Sequence, residues 1–157
     1  MFSKIMKIGS SFAVALLGTL SMIGDAGAVN LNTHGAAAQP FNASEATLLD
    51  YISQGARTVS SSAQSVIVPV VRSPVSAGSQ DFFIDGSNAS GQTTYFTLTS
   101  YSFLGTFQSS VSFNSNLATY DIFQTLTSVT TYSYVNLIAT LPANSGGVLF
   151  GITALQP

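Results

Sequence analysis

The chain has 157 residues, with 4 Lys and Arg together, 6 Asp and Glu together, one His, no Cys and no Trp, so only 6% of it is charged. That length suits one domain of ordinary size. So few cations and a formal net charge of −2 exclude the basic footprint of a nucleic-acid or anionic-membrane binder, and the missing Cys excludes thiolate catalysis and thiolate metal sites.

Residues 1–28 have the layout of a secretory signal peptide. Lys4 and Lys7 form a basic start, an apolar stretch runs from Phe12 to Ile23, and Ala26, Gly27 and Ala28 supply the small residues of a cleavage site before Val29. A membrane anchor is the rival, because Ile5 to Gly24 spans 20 residues, near the minimum for a bilayer. Gly9, Ser10, Ser11, Gly18 and Asp25 weaken it. The expectation is therefore an exported protein, periplasmic or extracellular, with no stable membrane anchor after cleavage. What remains, 29–157, keeps Arg57 and Arg72 against Glu45, Asp50, Asp81, Asp85 and Asp121, a net charge of −3 with no Lys. Ser, Thr, Asn and Gln make up 51 of those 129 residues, so neutral hydrogen-bonding groups rather than charges wet the surface.

Residues 29–56 read as an N-terminal arm. Its first part, 29–41, is small, polar and aperiodic, with room for one short strand. Ser44 can cap a helix that has Glu45 in its first turn, and Leu48, Leu49 and Ile52 recur at helical spacing before Gly55. One short helix is expected there. From 57 to 157 the chain reads as a β-domain. Runs rich in Val, Ile, Thr, Phe and Tyr cover 64–72, 80–85, 92–103, 106–113, 117–126, 132–141 and 147–155, separated by Gly, Asn, Ser and Pro turns. Short connections imply antiparallel neighbours, so the expected fold is all-β: an antiparallel two-sheet β-sandwich, with jelly-roll connections as one arrangement. Pro69 cannot donate to a ladder and places its strand at an edge or a bulge. Alternation puts Phe107, Ser109, Val111 and Phe113 on one face and Gln108, Ser110 and Ser112 on the other.

The segments NASEATLLDYISQGAR, SVIVPVVR and YVNLIATLPANSGGVLFGITALQ together resemble small exported bacterial proteins of unknown function. In that resemblance cysteines lie within strands, roughly where this chain has Val68 and Ile138. The resemblance implies apolar packing here in place of a disulfide, and implies no activity.

Catalytic chemistry finds little to work with. The only His, His34, lies in the arm, the chain has no G-x-S-x-G elbow, and 29–157 has no Lys. Asp81 and Asp85 fall on one strand face about 13 Å apart, too far for direct cooperation in glycoside hydrolysis, and sequence assigns Asp121 no partner. A non-enzymatic protein is expected. Asp85, Asn88, Ser90 and Gln92 in DGSNASGQ offer the oxygen ligands that calcium favours, although not at EF-hand spacing; no other cofactor is suggested. Asn42 and Asn88 begin N-x-S sequons, relevant only in a eukaryotic setting.

Aromatic residues are the strongest binding candidates. Tyr95, Thr97, Thr99 and Tyr101 share one strand face, and Tyr132 and Tyr134 form a second same-face pair. Tyr offers a flat apolar face with a polar tip, and Thr supplies neutral hydroxyls, which together suit a carbohydrate. Two functions follow as expectations. One is a non-catalytic module holding a neutral ligand such as a glycan on the Tyr/Thr face. The other is a self-associating cell-surface structural or interaction subunit, because the strands from 92 to 113 and from 132 to 155 carry no edge charges unless the 29–56 arm covers them.

Overall fold

The computed structural model describes residues 30–72 and 78–155; the expected signal peptide lies outside the described residues. Two antiparallel sheets face each other. In chain order the strands are β1 (Leu31–His34), β2 (Gln39–Pro40), β3 (Leu49–Ile52), β4 (Gly55–Thr58), β5 (Gln64–Pro69), β6 (Gly78–Asn88), β7 (Thr94–Tyr101), β8 (Phe107–Ser115), β9 (Thr119–Val129), β10 (Tyr134–Leu141) and β11 (Gly147–Ala154). The first sheet runs β3-β4-β11-β6-β9, with β1 also paired to β11. The second runs β2-β5-β10-β7-β8. From β5 onward the chain changes sheet at every step except β7 to β8, so the two layers are wound together rather than built one after the other. This is the expected two-sheet sandwich.

All seven expected runs from 64 onward contain a strand. Their period-two patterning explains why. In β10, Val135, Leu137, Ala139 and Leu141 are buried while the residues between them are not. Val66 and Val68 of β5, Phe82 and Ile84 of β6, and Leu98 of β7 join them in the core at 0% exposure. Each such side chain is worth about 1.5–3 kcal/mol of burial, which lets the domain dispense with disulfides. Val68 sits in this core, whereas Ile138 is only half-buried on the opposite face of its own sheet.

The arm differs from expectation. The helix expected from Ser44 through Ile52 is confined to a 3₁₀ segment, Ala43–Leu48, and Leu49–Ile52 instead pairs with Gly55–Thr58 as a hairpin. A helix of eight or nine residues is marginal alone, and the hairpin gives the same residues more. Asp50 lies opposite Arg57 and accepts from its Nε at 3.0 Å and Nη2 at 2.7 Å. Gly55 turns the corner with φ 151°, and a Cβ there would come 1.9 Å from the Leu149 carbonyl oxygen, so only glycine fits. The cap differs too: Asn42 occupies that position, its Nδ2 donating to Glu45 Oε1 at 2.9 Å.

The arm is woven into both sheets, which decides the edge question on one side. β1 and β4 pair with β11, and β2 pairs with β5, so the 29–56 segment covers edges that would otherwise be open. Pro69 fits this geometry. Val70 N–H donates to the Val135 carbonyl and Phe41 N–H to the Ser65 carbonyl, so odd-numbered residues of β5 face β2. Pro69 lies beyond the two residues that β2 pairs, where a missing N–H costs no ladder bond. On the opposite side, β8 and β9 end their sheets and approach each other, with Ser109 Oγ donating to the Thr127 carbonyl.

Candidate functional site

The outer face of the second sheet collects the Tyr and Thr residues singled out above. Register across β10 and β7 sets Tyr134 opposite Tyr101, Asn136 opposite Thr99, Ile138 opposite Thr97 and Thr140 opposite Tyr95. On the far side of β7, Ser110, Ser112 and Asn114 continue the rows beginning at Thr99, Thr97 and Tyr95. Tyr95 and Tyr134 are 57% and 62% exposed, so their rings are available. Six residues of extended chain separate Tyr95 from Tyr101, a reach of about 20 Å. Between the rings, hydroxyls are fixed in pairs: Thr97 with Ser112 at 3.0 Å and Ser65 with Thr140 at 2.9 Å. A paired hydroxyl retains bonding capacity for a ligand. Thr99 is the exception, buried to 5% exposure, and forms floor rather than contact surface.

Tyr132 is not in a strand. β10 begins at Tyr134, later than the expected 132, and Tyr132 stands in the preceding turn at 72% exposure, while Ser133, between the two in sequence, is buried. Polar anchors hold that turn from beneath. Arg72 Nη2 donates to the Thr130 carbonyl at 2.7 Å and the Ser133 carbonyl at 2.8 Å, and its Nε donates to Ser133 at 3.1 Å. Burial pushes the guanidinium below its usual pKa, though guanidinium groups stay charged in proteins. Ser133 Oγ donates to Gln108 Oε1 and pairs with Thr130 Oγ1 at 2.8 Å.

Gln108 also explains a residue that simple alternation misplaces. Pairing steps from Ser100 opposite Ser109 to Tyr101 opposite Phe107, leaving Gln108 as the extra residue of a β-bulge. Phe107, expected on the inner face with Val111 and Phe113, is therefore outward, 57% exposed, and edge to face with Tyr101 at 6.2 Å between ring centroids. Val111 and Phe113 keep the expected inner face and pack on the core. Register shifts of this kind depend on the partner strand, so the single sequence contains no sign of it beyond a polar Gln between two aromatic-rich runs.

At the Tyr134 end the face opens into a cleft of about 720 Å³, walled mainly by Pro69, Val70, Val71, Phe103, Tyr132 and Tyr134. Phe103, 63% exposed on the turn between β7 and β8, carried no signal beyond being an aromatic two residues before Gly105. Arg72 is the charged residue that lines this cleft, while the strand face beside it carries none. The five strands of the second sheet contain no Asp, Glu, Lys or Arg, whereas Asp50, Arg57, Asp81, Asp85 and Asp121 all belong to strands of the first.

The residues proposed for calcium do not converge. Asp85 is on the outer face of the first sheet, and Asn88, three residues on, is buried on the opposite side of β6. Its amide is engaged, Nδ2 donating to the Ser115 carbonyl at 2.9 Å and Oδ1 accepting from Thr94 Oγ1 at 2.6 Å. Ser90 and Gln92 are exposed in the following turn. Among the described residues no group of three His, Asp or Glu side chains is placed to hold a metal. Asp85 instead faces Asp121 directly across β6 and β9. Burial, the Asp121 charge and a hydrogen bond with Asp121, in that order, hold the Asp85 carboxyl above the usual carboxylate range. Carboxyls in mutual hydrogen-bond contact leave no room for a glycosidic bond between them, which hydrolysis by paired acids requires. Asp81 has a different partner, accepting from Thr125 Oγ1 at 2.6 Å. His34, on β1, caps the next turn by accepting from Ala36 N–H through Nδ1 at 3.1 Å.

No protein-family model matches the chain, and no curated protein matches its sequence. Solved structures do match its fold. A xylan-binding module CBM15 superposes with a TM-score of 0.50 at 14% identity, covering 83% of this chain and 97% of that one. The C-terminal CBM6 of LamC, a marine laminarinase from Zobellia galactanivorans, superposes with a TM-score of 0.51 at 13% identity, covering 82% of this chain and all of the module, 100%. At these identities the likeness is one of fold: a β-sandwich of the kind seen in carbohydrate-binding modules.

Proposed function

We propose that the chain is a non-catalytic carbohydrate-binding module that takes a neutral polysaccharide on the outer face of its second sheet. The observation that carries this is the Tyr134–Tyr101 register, which joins two strands' aromatic residues into one platform on a sheet without charge. Sugars present an apolar ring face edged by hydroxyls. Flat Tyr rings and neutral Thr, Ser and Asn groups match both parts without the desolvation cost that a buried charge imposes. The sandwich architecture shared with a xylan-binding module and a laminarinase-attached CBM6 supports the reading, and an exported setting agrees with the leader expected at 1–28.

Retention on immobilised polysaccharides tests it. Neutral polymers, with xylan and laminarin in the panel, should retard the protein equally at low and high salt, and acidic polymers should not. Retention only by acidic polymers, lost on adding salt, would point to an ionic site elsewhere and overturn the proposal.

A further inference from the structure

We propose that the cleft at the Tyr134 end of the platform receives a planar aromatic group attached to the bound glycan, an inference that rests on the carbohydrate reading of the neighbouring face. At about 720 Å³ it falls within the range of small-molecule pockets, about 300–1,000 Å³, which are lined mainly by apolar and aromatic side chains. Pro69, Val70, Val71, Phe103, Tyr132 and Tyr134 form its apolar and aromatic walls, and a smaller polar part includes Arg72 and Asn136. An unsubstituted sugar ring placed here would set most of its hydroxyls against Val, Pro and Phe, with the Arg72 guanidinium already donating to Thr130, Ser133 and Gln80, and hydroxyls buried without partners are costly. An aromatic ring has no such requirement. Phe103, Tyr132 and Tyr134 give it three aromatic walls, and ring pairs prefer the offset or edge-to-face contacts that such walls permit.

Two further features bear on the choice. Tyr134 belongs both to the cleft and to the platform, where it pairs with Tyr101, so one ligand can occupy the two together. The cleft is also held in shape before anything binds. Arg72 fixes the Thr130 and Ser133 carbonyls below Tyr132, and Gln108 of β8 secures Ser133. A pre-formed apolar pocket loses little ordering entropy on filling.

The test compares cellobiose, 4-nitrophenyl β-cellobioside and octyl β-cellobioside by calorimetric titration of the protein produced from the full-length chain. The nitrophenyl compound should bind at least about tenfold tighter than cellobiose, with the octyl compound well behind it, and Phe103→Ala should remove that gain. Equal affinity for all three, an octyl gain matching the nitrophenyl gain, or a gain surviving in Phe103→Ala would each overturn the proposal. Tyr95→Ala separates it from the platform reading, because Tyr95 lies at the far end of the face. An aryl gain without polysaccharide retention would leave the cleft standing and remove the platform; retention without an aryl gain would do the reverse.

Discussion

Tyr101 and Phe107 meet edge to face, their ring planes at 77°, because Gln108 is the extra residue between Phe107 and Ser109. That bulge puts a second aromatic beside the platform and places a carboxamide beneath the turn that carries Tyr132. Its position predicts unequal costs for two phenylalanines. Phe107→Ala should lower stability by no more than about 1 kcal/mol, as at exposed positions, whereas Phe96→Ala, with Phe96 2% exposed in the core, should cost about 3–5 kcal/mol. Urea denaturation measures both; similar losses would put Phe107 back on the inner face.

Arg72 ties down the 130–133 turn, so Arg72→Met should free it. Amide hydrogen exchange at residues 130–133 should rise at least about tenfold while the amides of β10 and β11 in the core keep their protection. Exchange unchanged at the turn would mean that the guanidinium contacts to Thr130 and Ser133 are not what holds it.

The Asp85–Asp121 pair predicts a pH dependence. Asp85 has a folded-state pKa above its unfolded value of about 3.9, so the folded form prefers the protonated carboxyl. Its stabilising contribution is complete below about pH 3.9 and is lost as pH rises through the folded pKa. Asp85→Asn, which keeps the shape without the charge, should therefore melt at nearly the same temperature as the parent at low pH and at a higher one at pH 7. Thermal unfolding across that range checks the sign, and a variant less stable at pH 7 would contradict it.

Removing residues 29–56 should leave β11 and β5 with open edges. β1, β2 and part of the β3–β4 hairpin cover them now, and the newly exposed strands carry no edge charge to discourage pairing. Light scattering should show the truncated chain growing in mass with concentration while the parent stays constant. Growth of the parent itself would favour the self-associating subunit, through the β8 and β9 edges.

These features were unequally legible. The seven strands from 64 onward follow from alternation and β-branched content, which are properties of a run in isolation. The platform followed because Tyr95, Thr97, Thr99 and Tyr101 share a face by strand geometry alone. Leu48, Leu49 and Ile52 mimic a helix, and only the later Arg57, opposite Asp50, shows why the hairpin prevails. Tyr134 against Tyr101, Asp85 against Asp121 and the bulge at Gln108 all depend on strand order, which local patterning does not encode. The cleft is further still from sequence, since Val71, Phe103 and Tyr132 come from three separate connections.

Glycan binding on the Tyr face is read out by calorimetric titration of a retained neutral polysaccharide into the parent protein and into Tyr95→Ala/Tyr134→Ala. Both rings are more than half exposed, so the double variant should keep its unfolding temperature within a few degrees of the parent's and lose at least about 2 kcal/mol of binding free energy, roughly thirtyfold in affinity. Unchanged affinity in a folded double variant would contradict the account and move the binding site off this face.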